Sequence, residues 1–287
     1  MTISDKTPAA GLYIVATPIG NARDITLRAL DILAGATHVY CEDTRVTRKL
    51  LTLHGLTRSL AAYHEHNAEK ALPQILQQLA DGASVALVSD AGTPLISDPG
   101  YRLVQASREQ GHEIFAVPGA SSPVAALSIS GFPSDRFFFA GFLPPKKAMR
   151  QRQLEELAAI RATLILFESA KRLAALLADI DTVLPDRPIA ICRELTKAYE
   201  EVRQGSAAEL AAYYTENGAP KGEIVVLVHP PADIEKMPEA EVRQMLDVAL
   251  REHHTRAAAD LVAAASGWPR RAVYQMALGK YKPEDTK

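Results

Sequence analysis

Glycine, small hydroxyl residues and carboxylates gather where one predicted strand of this 287-residue chain ends. The apolar run 85–88 is typical of a buried strand, and Gly92 lies in the loop 89–100 that follows it. Small residues let a ligand approach the backbone, and ligands of open α/β sheets bind beyond the carboxyl ends of the strands. We therefore predict that this loop cradles a cofactor. Asp98 and Pro99 are expected to begin the next helix, as its N-cap and its first helical residue.

A second group of charged residues follows an earlier predicted strand. It contains two carboxylates and one guanidinium, on Glu42, Asp43 and Arg45. Asp43 or Thr44 is expected to cap the next helix, because short polar side chains accept hydrogen bonds from the first free backbone amides. Glu42 and Arg45 then remain for function.

Basic residues form three groups that are suited to contact phosphates. The first two groups are also consistent with a solvated helix face, and the third with a small three-helix cap that packs on a dimer. The formal net charge of −2 does not by itself indicate a nucleic-acid partner. The candidate residues are Arg45, Arg48 and Lys49, then Lys146, Lys147 and Arg150 after a Pro-Pro pair, and finally Arg270 and Arg271 near the C-terminus.

The elements that must position these residues alternate between strand and helix. This alternation predicts an α/β fold with a largely parallel sheet, and residues 199–204 are expected to form an edge strand. After a proline-containing linker the pattern is wholly helical, and two short helices joined by a glycine-containing turn resemble a helix-turn-helix. We predict two α/β domains, over residues 1–118 and 119–231, and a helical domain over residues 236–287.

Two common cofactor motifs are absent from the sequence. It contains neither the dinucleotide fingerprint G-x-G-x-x-G nor a Walker A motif, which argues against an NAD enzyme and a P-loop NTPase. A metal site is also not expected. His64 and His66 are only two residues apart on a predicted loop, with no further Cys or His at ligand spacing.

The cysteine pattern and the apolar runs bear on the cellular location. Cys41 and Cys192 lie in apolar runs and are expected to be buried free thiols, as in a reducing compartment. No apolar run reaches the roughly 20 residues that span a bilayer. The first ten residues are polar and hold no signal-peptide core. We expect a cytoplasmic protein that does not contact a membrane.

Five motifs, in this order, resemble those of one family. They occupy residues 16–21, 41–45, 88–94, 117–122 and 221–223, with the sequences Ala-Thr-Pro-Ile-Gly-Asn, Cys-Glu-Asp-Thr-Arg, Val-Ser-Asp-Ala-Gly-Thr-Pro, Val-Pro-Gly-Ala-Ser-Ser and Lys-Gly-Glu. The chain is similar to the bacterial ribose 2′-O-methyltransferases that act on a cytidine in the decoding region of small-subunit ribosomal RNA. These enzymes belong to the tetrapyrrole methylase superfamily. The resemblance implies a homodimer and S-adenosylmethionine (SAM) bound in a cleft between two α/β domains.

The resemblance also implies a set of site residues. Thr93 stands where the superfamily has an acidic residue in a Gly-Asp-Pro loop, and Asp90 is the candidate for the missing charge. Two further candidates rest on charge at loops expected to face the cleft rather than on the resemblance: Glu42 as general base, and Lys221 as the residue that stabilises an alkoxide. The basic groups become candidate RNA contacts. The implied cofactor-binding residues are Pro18, Ile19, Asp90, Gly92, Thr93, Ile96, Ser121, Ser122, Phe167, Leu195 and Gly222.

Two other functions share parts of this pattern. A tetrapyrrole methyltransferase has the same fold and cofactor, but a porphyrinoid substrate does not require the basic helical tail. A non-catalytic module that senses SAM and binds nucleic acid would bind the cofactor without turnover. Methyl transfer to ribosomal RNA would distinguish the ribose methyltransferase from both of these alternatives.

Overall fold

The computed structural model describes residues 3–4, 6–232 and 236–279. Residues up to Pro230 form one compact unit, and a second unit begins at Pro231. The first unit contains two five-stranded sheets. None of the helices in the described part of the chain combines the length and the apolar character needed to cross a bilayer.

The first sheet is entirely parallel, with the strand order β3-β2-β4-β1-β5. All five strands therefore run in the same direction, so their carboxyl ends lie at one edge of the sheet. The strands are β1 (Gly11–Val15), β2 (His38–Cys41), β3 (Ala61–Ala62), β4 (Ser84–Val88) and β5 (Ile114–Val117). The helices are α1 (Leu27–Gly35), α2 (Thr44–Leu53), α3 (Ala68–Ala80), α4 (Tyr101–Glu109) and α5 (Ser122–Ile129).

The second sheet is mixed, with the order β6-β7-β10-β8-β9. Only β6 and β7 pair in parallel, because β10 lies antiparallel between β7 and β8. The strands are β6 (Phe137–Phe142), β7 (Thr163–Ser169), β8 (Ile189–Arg193), β9 (Glu201–Gly205) and β10 (Glu223–Val228). The helices are α6 (Lys147–Ala158), α7 (Leu173–Val183) and α8 (Ala207–Glu216).

Two helix starts test the predicted caps. Asp43 caps α2 as predicted, and its carboxylate accepts a hydrogen bond from the Arg45 amide at 2.8 Å. The prediction for Asp98 is wrong, because α4 begins at Tyr101 with Gly100 as its N-cap. Gly100 has a φ of 137°, and a Cβ there would lie 3.0 Å from Leu95 Cδ1. Asp98 is therefore two residues ahead of the cap and is free for another role.

The second unit is a three-helix domain with its own apolar core. The helices are α9 (Glu239–Glu252), α10 (Thr255–Ser266) and α11 (Arg270–Ala277). Gly267 ends α10 in a left-handed conformation, with a φ of 69°, and Val262, Val273 and Met276 pack in the core. This is the turn of the predicted helix-turn-helix. Residues 280–287 of the predicted domain lie outside the described residues.

Candidate active site

A cavity of about 420 Å³ lies between the loops at the carboxyl edge of the first sheet and the face of the second sheet. Its volume is typical of a small-molecule site. Nine of the eleven predicted cofactor-binding residues line it. They are Ile19, Gly92, Thr93, Ile96, Ser121, Ser122, Phe167, Leu195 and Gly222.

Pro18 and Asp90 are the two predicted residues that do not line this cavity. Asp90 accepts a hydrogen bond from the Asp43 amide at 2.9 Å, and so it holds the start of α2 against the end of β4. Burial raises the pKa of Asp90. Asp90 therefore does not bring the missing charge to this cavity, and the acidic residues that line it are Asp98, Glu168 and Glu223.

The wall of this cavity combines apolar, hydroxyl and acidic side chains. Thr93 Oγ1 donates to the Ala120 carbonyl at 3.0 Å, which ties the loop after β4 to the loop after β5. The loop after β1 is tied to the same place, since the backbone amides and carbonyls of Thr17 and Gly92 exchange hydrogen bonds of 2.8 and 3.0 Å. Three loops are thus fixed to one another around the cavity.

Two apolar wall residues are held by strained backbone. Among the described residues, five non-glycine residues have a left-handed φ, and four of them flank Ile96 and Leu195. Leu95 and Ser97 have φ values of 74° and 64°, and Glu194 and Thr196 have values of 50° and 63°. Such conformations persist only where the surroundings enforce them, and they concentrate at functional sites. We infer that the strain serves to present Ile96 and Leu195 to a ligand.

The loop that carries Leu195 is braced from both sides. Thr196 Oγ1 accepts a hydrogen bond from the Asn21 amide at 3.0 Å. The Glu194 carboxylate accepts from Lys197 Nζ at 2.8 Å and from the Glu223 amide at 3.1 Å. A Cβ on Gly222, whose φ is 100°, would collide with this carboxylate. Glycine is therefore needed at position 222 for two reasons: it adopts this φ readily, and it has no side chain to collide with Glu194.

A second cavity of about 790 Å³ adjoins the first. Ser97 and Asp98 line both cavities, so the wall between them is formed in part by these two consecutive residues. The candidate base Glu42 lines the second cavity and not the first. His64 and His66 also line it. No group of three metal-ligating side chains is positioned to hold a metal ion in the described part of the chain.

The carboxylates near this shared wall are hard to ionise. Burial, together with the negative charges of Glu42 and Asp90, raises the pKa of Asp98 to about 6, against the opposing effect of a hydrogen bond with the Ser89 side chain. Burial, followed by the charge of Asp90, also raises the pKa of Glu42. A carboxylate with a pKa near neutrality is suited to accept a proton. Sequence reasoning missed Asp98 because its position before Pro99 is also typical of a helix cap.

Two predicted site residues are placed away from the cavities. Lys221 is exposed and lines neither cavity, and its carbonyl accepts a hydrogen bond from Arg193 at 3.1 Å. Arg150 is buried, and its guanidinium pairs with Asp179 at 2.5 Å and donates to the Pro145 carbonyl at 3.1 Å. Lys221 is therefore not a suitable alkoxide stabiliser. The prediction that Arg150 contacts RNA is wrong, because its charge is used inside the fold.

The other predicted basic residues are exposed. Two of them have acidic neighbours: Arg45 pairs with Asp43 at 2.6 Å, and Arg270 pairs with Asp260. The two guanidinium groups themselves are exposed to solvent, so the pairs hold these arginine side chains weakly. The exposed set consists of Arg45, Arg48, Lys49, Lys146, Lys147, Arg270 and Arg271.

Comparisons with known proteins agree with this architecture. Residues 11–211 match the family model "Tetrapyrrole (Corrin/Porphyrin) Methylases", and residues 236–280 match "RsmI C-terminal HTH domain". Two solved structures share the fold of the larger unit. Diphthine synthase has a TM-score of 0.60 at 15% identity, covering 76% of this chain and 89% of its own. Uroporphyrin-III-C-methyltransferase from Thermus thermophilus has a TM-score of 0.54 at 23% identity, covering 76% and 94%.

Sequence relatives are much more similar. "Ribosomal RNA small subunit methyltransferase I" of Mesorhizobium japonicum is 50% identical over 275 residues, which cover 93% of this chain and 91% of the relative. The protein of the same name from Xylella fastidiosa is 45% identical over 272 residues, covering 94% and 99%. The chain therefore belongs to the tetrapyrrole methylase family, within the group of ribosomal RNA small subunit methyltransferase I proteins, as its five motifs predict.

Proposed function

We propose that this protein is an enzyme that transfers a methyl group from SAM to the ribose 2′-hydroxyl of a cytidine in small-subunit ribosomal RNA. One observation carries the proposal. Nine residues implied by the motif resemblance, from distant parts of the sequence, line a single cavity whose wall is shared with a second cavity. The names of the relatives support a small-subunit RNA substrate. The ribose hydroxyl is proposed from the motifs.

The residues of the first cavity fit SAM. Ile96, Leu195 and Phe167 offer apolar surface for the adenine ring, while Ser121 and Ser122 offer hydroxyl partners for polar groups. When bound, SAM supplies a methyl group on a positively charged sulfur, and so the protein mainly has to position the reactants.

A ribose hydroxyl is barely acidic and has to lose its proton when the oxygen is methylated. Asp98 is the residue we propose as the proton acceptor, because it lines both cavities. Glu42, on the wall of the second cavity, raises the pKa of Asp98 through its charge. Correct placement of reactants can contribute about 7–11 kcal/mol to lowering a barrier. The braced loops around the first cavity provide such placement.

We further propose that the protein acts in the cytoplasm as a homodimer and that exposed basic residues bind the RNA backbone. The strip of Arg45, Arg48 and Lys49 on α2 begins three residues after Glu42, which lines the second cavity. The helix-turn-helix adds Arg270 and Arg271. Phosphate contacts of this kind position an RNA without reading its sequence.

Labelled SAM tests the proposed function. The purified protein is incubated with small ribosomal subunits from a strain that lacks the gene, and the RNA is then digested with nuclease. We expect the label in a nuclease-resistant dinucleotide, because a 2′-O-methyl group blocks cleavage at that linkage. Label on a base, or methyl transfer to a porphyrinogen and none to RNA, would contradict the proposal.

Gly222→Ala is expected to weaken SAM binding by at least tenfold, as measured by calorimetry. The added Cβ would displace the Glu194 carboxylate and with it the loop that carries Leu195. Gly218→Ala is the matched control. Gly218 has a similar left-handed φ of 80°, but a Cβ there would meet no atom within 4 Å. Equal affinities for the two variants would show that the brace at Glu194 does not shape the site.

Arg48→Ala combined with Lys49→Ala is expected to weaken binding of small subunits and to flatten its salt dependence. Loss of two phosphate contacts makes the negative slope of log K against log salt shallower by about 1.4. Lys70→Ala, which removes an exposed charge on α3, is the control. A slope in the double variant that equals that of the wild type would remove this strip from the RNA interface.

A further inference from the structure

We propose that the second cavity is the binding site of the acceptor nucleoside, which is turned out of the RNA stack so that its ribose reaches Ser97 and Asp98. This inference rests on the proposed function. Enzymes that modify a base extrude its nucleotide into a pocket and stack it against an aromatic or apolar side chain, and we infer the same access for a ribose hydroxyl. The second cavity has the position, the charge and the aromatic surface that this task requires.

The position follows from the shared wall. Ser97 and Asp98 are consecutive, and both line both cavities. A ligand in the second cavity is therefore next to a ligand in the first, with Ser97 and Asp98 on the boundary. The left-handed φ of Ser97 and the late start of α4 at Tyr101 leave both residues outside the helix.

The charge of the second cavity favours a neutral group that is rich in hydrogen-bond donors. Its described lining contains four carboxylates and one guanidinium, on Glu42, Glu65, Glu69, Asp98 and Arg102. Glu69 pairs with Arg102 at 3.2 Å, so the remaining carboxylates are in excess. They disfavour a phosphate and accept hydrogen bonds from ribose hydroxyls. The amino group of cytosine is also a donor, and Glu and Asp are its usual partners.

Two further side chains offer contacts to a base. Tyr101 lines the cavity as the first residue of α4 and is 69% exposed, which leaves its ring available for stacking. His64 also lines the cavity, and its Nδ1 is buried without a hydrogen-bond partner among the described residues. A buried polar atom without a partner is uncommon in folded proteins. A base edge in the cavity would supply that partner.

Substitution of Tyr101 tests the site. We expect Tyr101→Ala to raise the KM for small subunits by about 5- to 150-fold, which is the range for loss of one base–aromatic stack. The Kd for SAM, measured by calorimetry, should not change. Tyr101→Phe should behave as the wild type, since the ring is retained. Tyr199→Ala is the exposure-matched control, because Tyr199 is 74% exposed and lines neither cavity.

Photo-crosslinking locates the RNA directly. A p-benzoylphenylalanine in place of Tyr101 should crosslink to the methylated nucleotide or its immediate neighbours, as mapped by primer extension. The same group in place of Arg108, which is exposed near the far end of α4, should not.

The outcomes separate the two proposals. If the wild type methylates the ribose but Tyr101→Ala keeps the wild-type KM, or the crosslink maps to distant nucleotides, the acceptor site is wrong and the proposed function stands. If the wild type places no methyl group on RNA, the proposed function fails, and the acceptor site fails with it.

Discussion

Asp98→Asn is expected to lower the rate of methyl transfer by about 10²- to 10⁴-fold, the usual contribution of a positioned proton acceptor. The amide has nearly the same shape as the carboxylate, but it cannot take up a proton. Single-turnover kinetics with saturating SAM and small subunits measure this rate. We expect the Kd for SAM to stay within a few-fold of the wild type, which would separate proton transfer from cofactor binding.

The pH dependence provides an independent readout. Because the pKa of Asp98 is raised to about 6, the wild-type rate should rise with pH through this value as the carboxylate ionises. Asp98→Asn should lose this rise. Asp135→Asn, an exposed carboxylate that lines neither cavity, is the control and should keep it. A variant at Asp98 with the full wild-type rate would exclude it as the proton acceptor.

The same substitution should stabilise the fold near neutral pH. The pKa of Asp98 is raised from 3.8 to about 6, so between these values the folded state binds more protons than the unfolded state. Stability therefore falls as the pH rises through this window. Asn removes the effect, and we expect a higher Tm for the variant than for the wild type at pH 7.5. A lower Tm would indicate that the loss of rate reflects damage to the fold.

Arg150→Met is expected to lower the free energy of unfolding by about 3–5 kcal/mol, as found when one partner of a buried ion pair is removed. The side chains of Arg150 and Asp179 are only 6% and 3% exposed. Removal of the guanidinium leaves the Asp179 carboxylate buried with a single side-chain donor, Gln151 Nε2 at 2.9 Å. Denaturant unfolding monitored by circular dichroism measures the change.

A double variant provides the control for this second effect. Arg150→Met combined with Asp179→Leu should recover most of the lost stability, because well-packed apolar residues often replace a buried pair at little cost. Lys146→Ala with Lys147→Ala should change RNA binding and leave stability unchanged, since both side chains are exposed. If Arg150→Met weakened RNA binding with no loss of stability, the assignment of Arg150 to the core would be wrong.

Local sequence patterns predicted much of the fold and the loop around Gly92, whereas most other residues of the first cavity were implied by the motif resemblance. The apolar run of β4, the Asp43 cap and the loop around Gly92 each depend on neighbouring residues, and all are present. The weak alternation over 199–204 predicted an edge strand, which is found as β9. Such features are visible because short-range backbone geometry determines them.

Features that depend on distant partners were not predictable in this way. Arg150 lies in a basic run, and its partner Asp179 is 29 residues away on another helix. The antiparallel position of β10 between β7 and β8 depends on strand order, which strand–helix alternation does not specify. Asp98 has a local signal, but the close packing of Gly100 against Leu95 moves the helix start past it.

The left-handed residues beside Ile96 and Leu195 have a consequence for laboratory evolution. At Ser97 glycine is the residue that adopts the observed backbone most easily. A selection for heat resistance alone should therefore collect glycine at this position, but not at Thr196, whose hydroxyl braces its loop. Glycine would also let the loop around Ser97 sample other conformations. We therefore expect the selected variants to have a higher Tm but a lower rate of methyl transfer, in line with the trade-off between stability and activity.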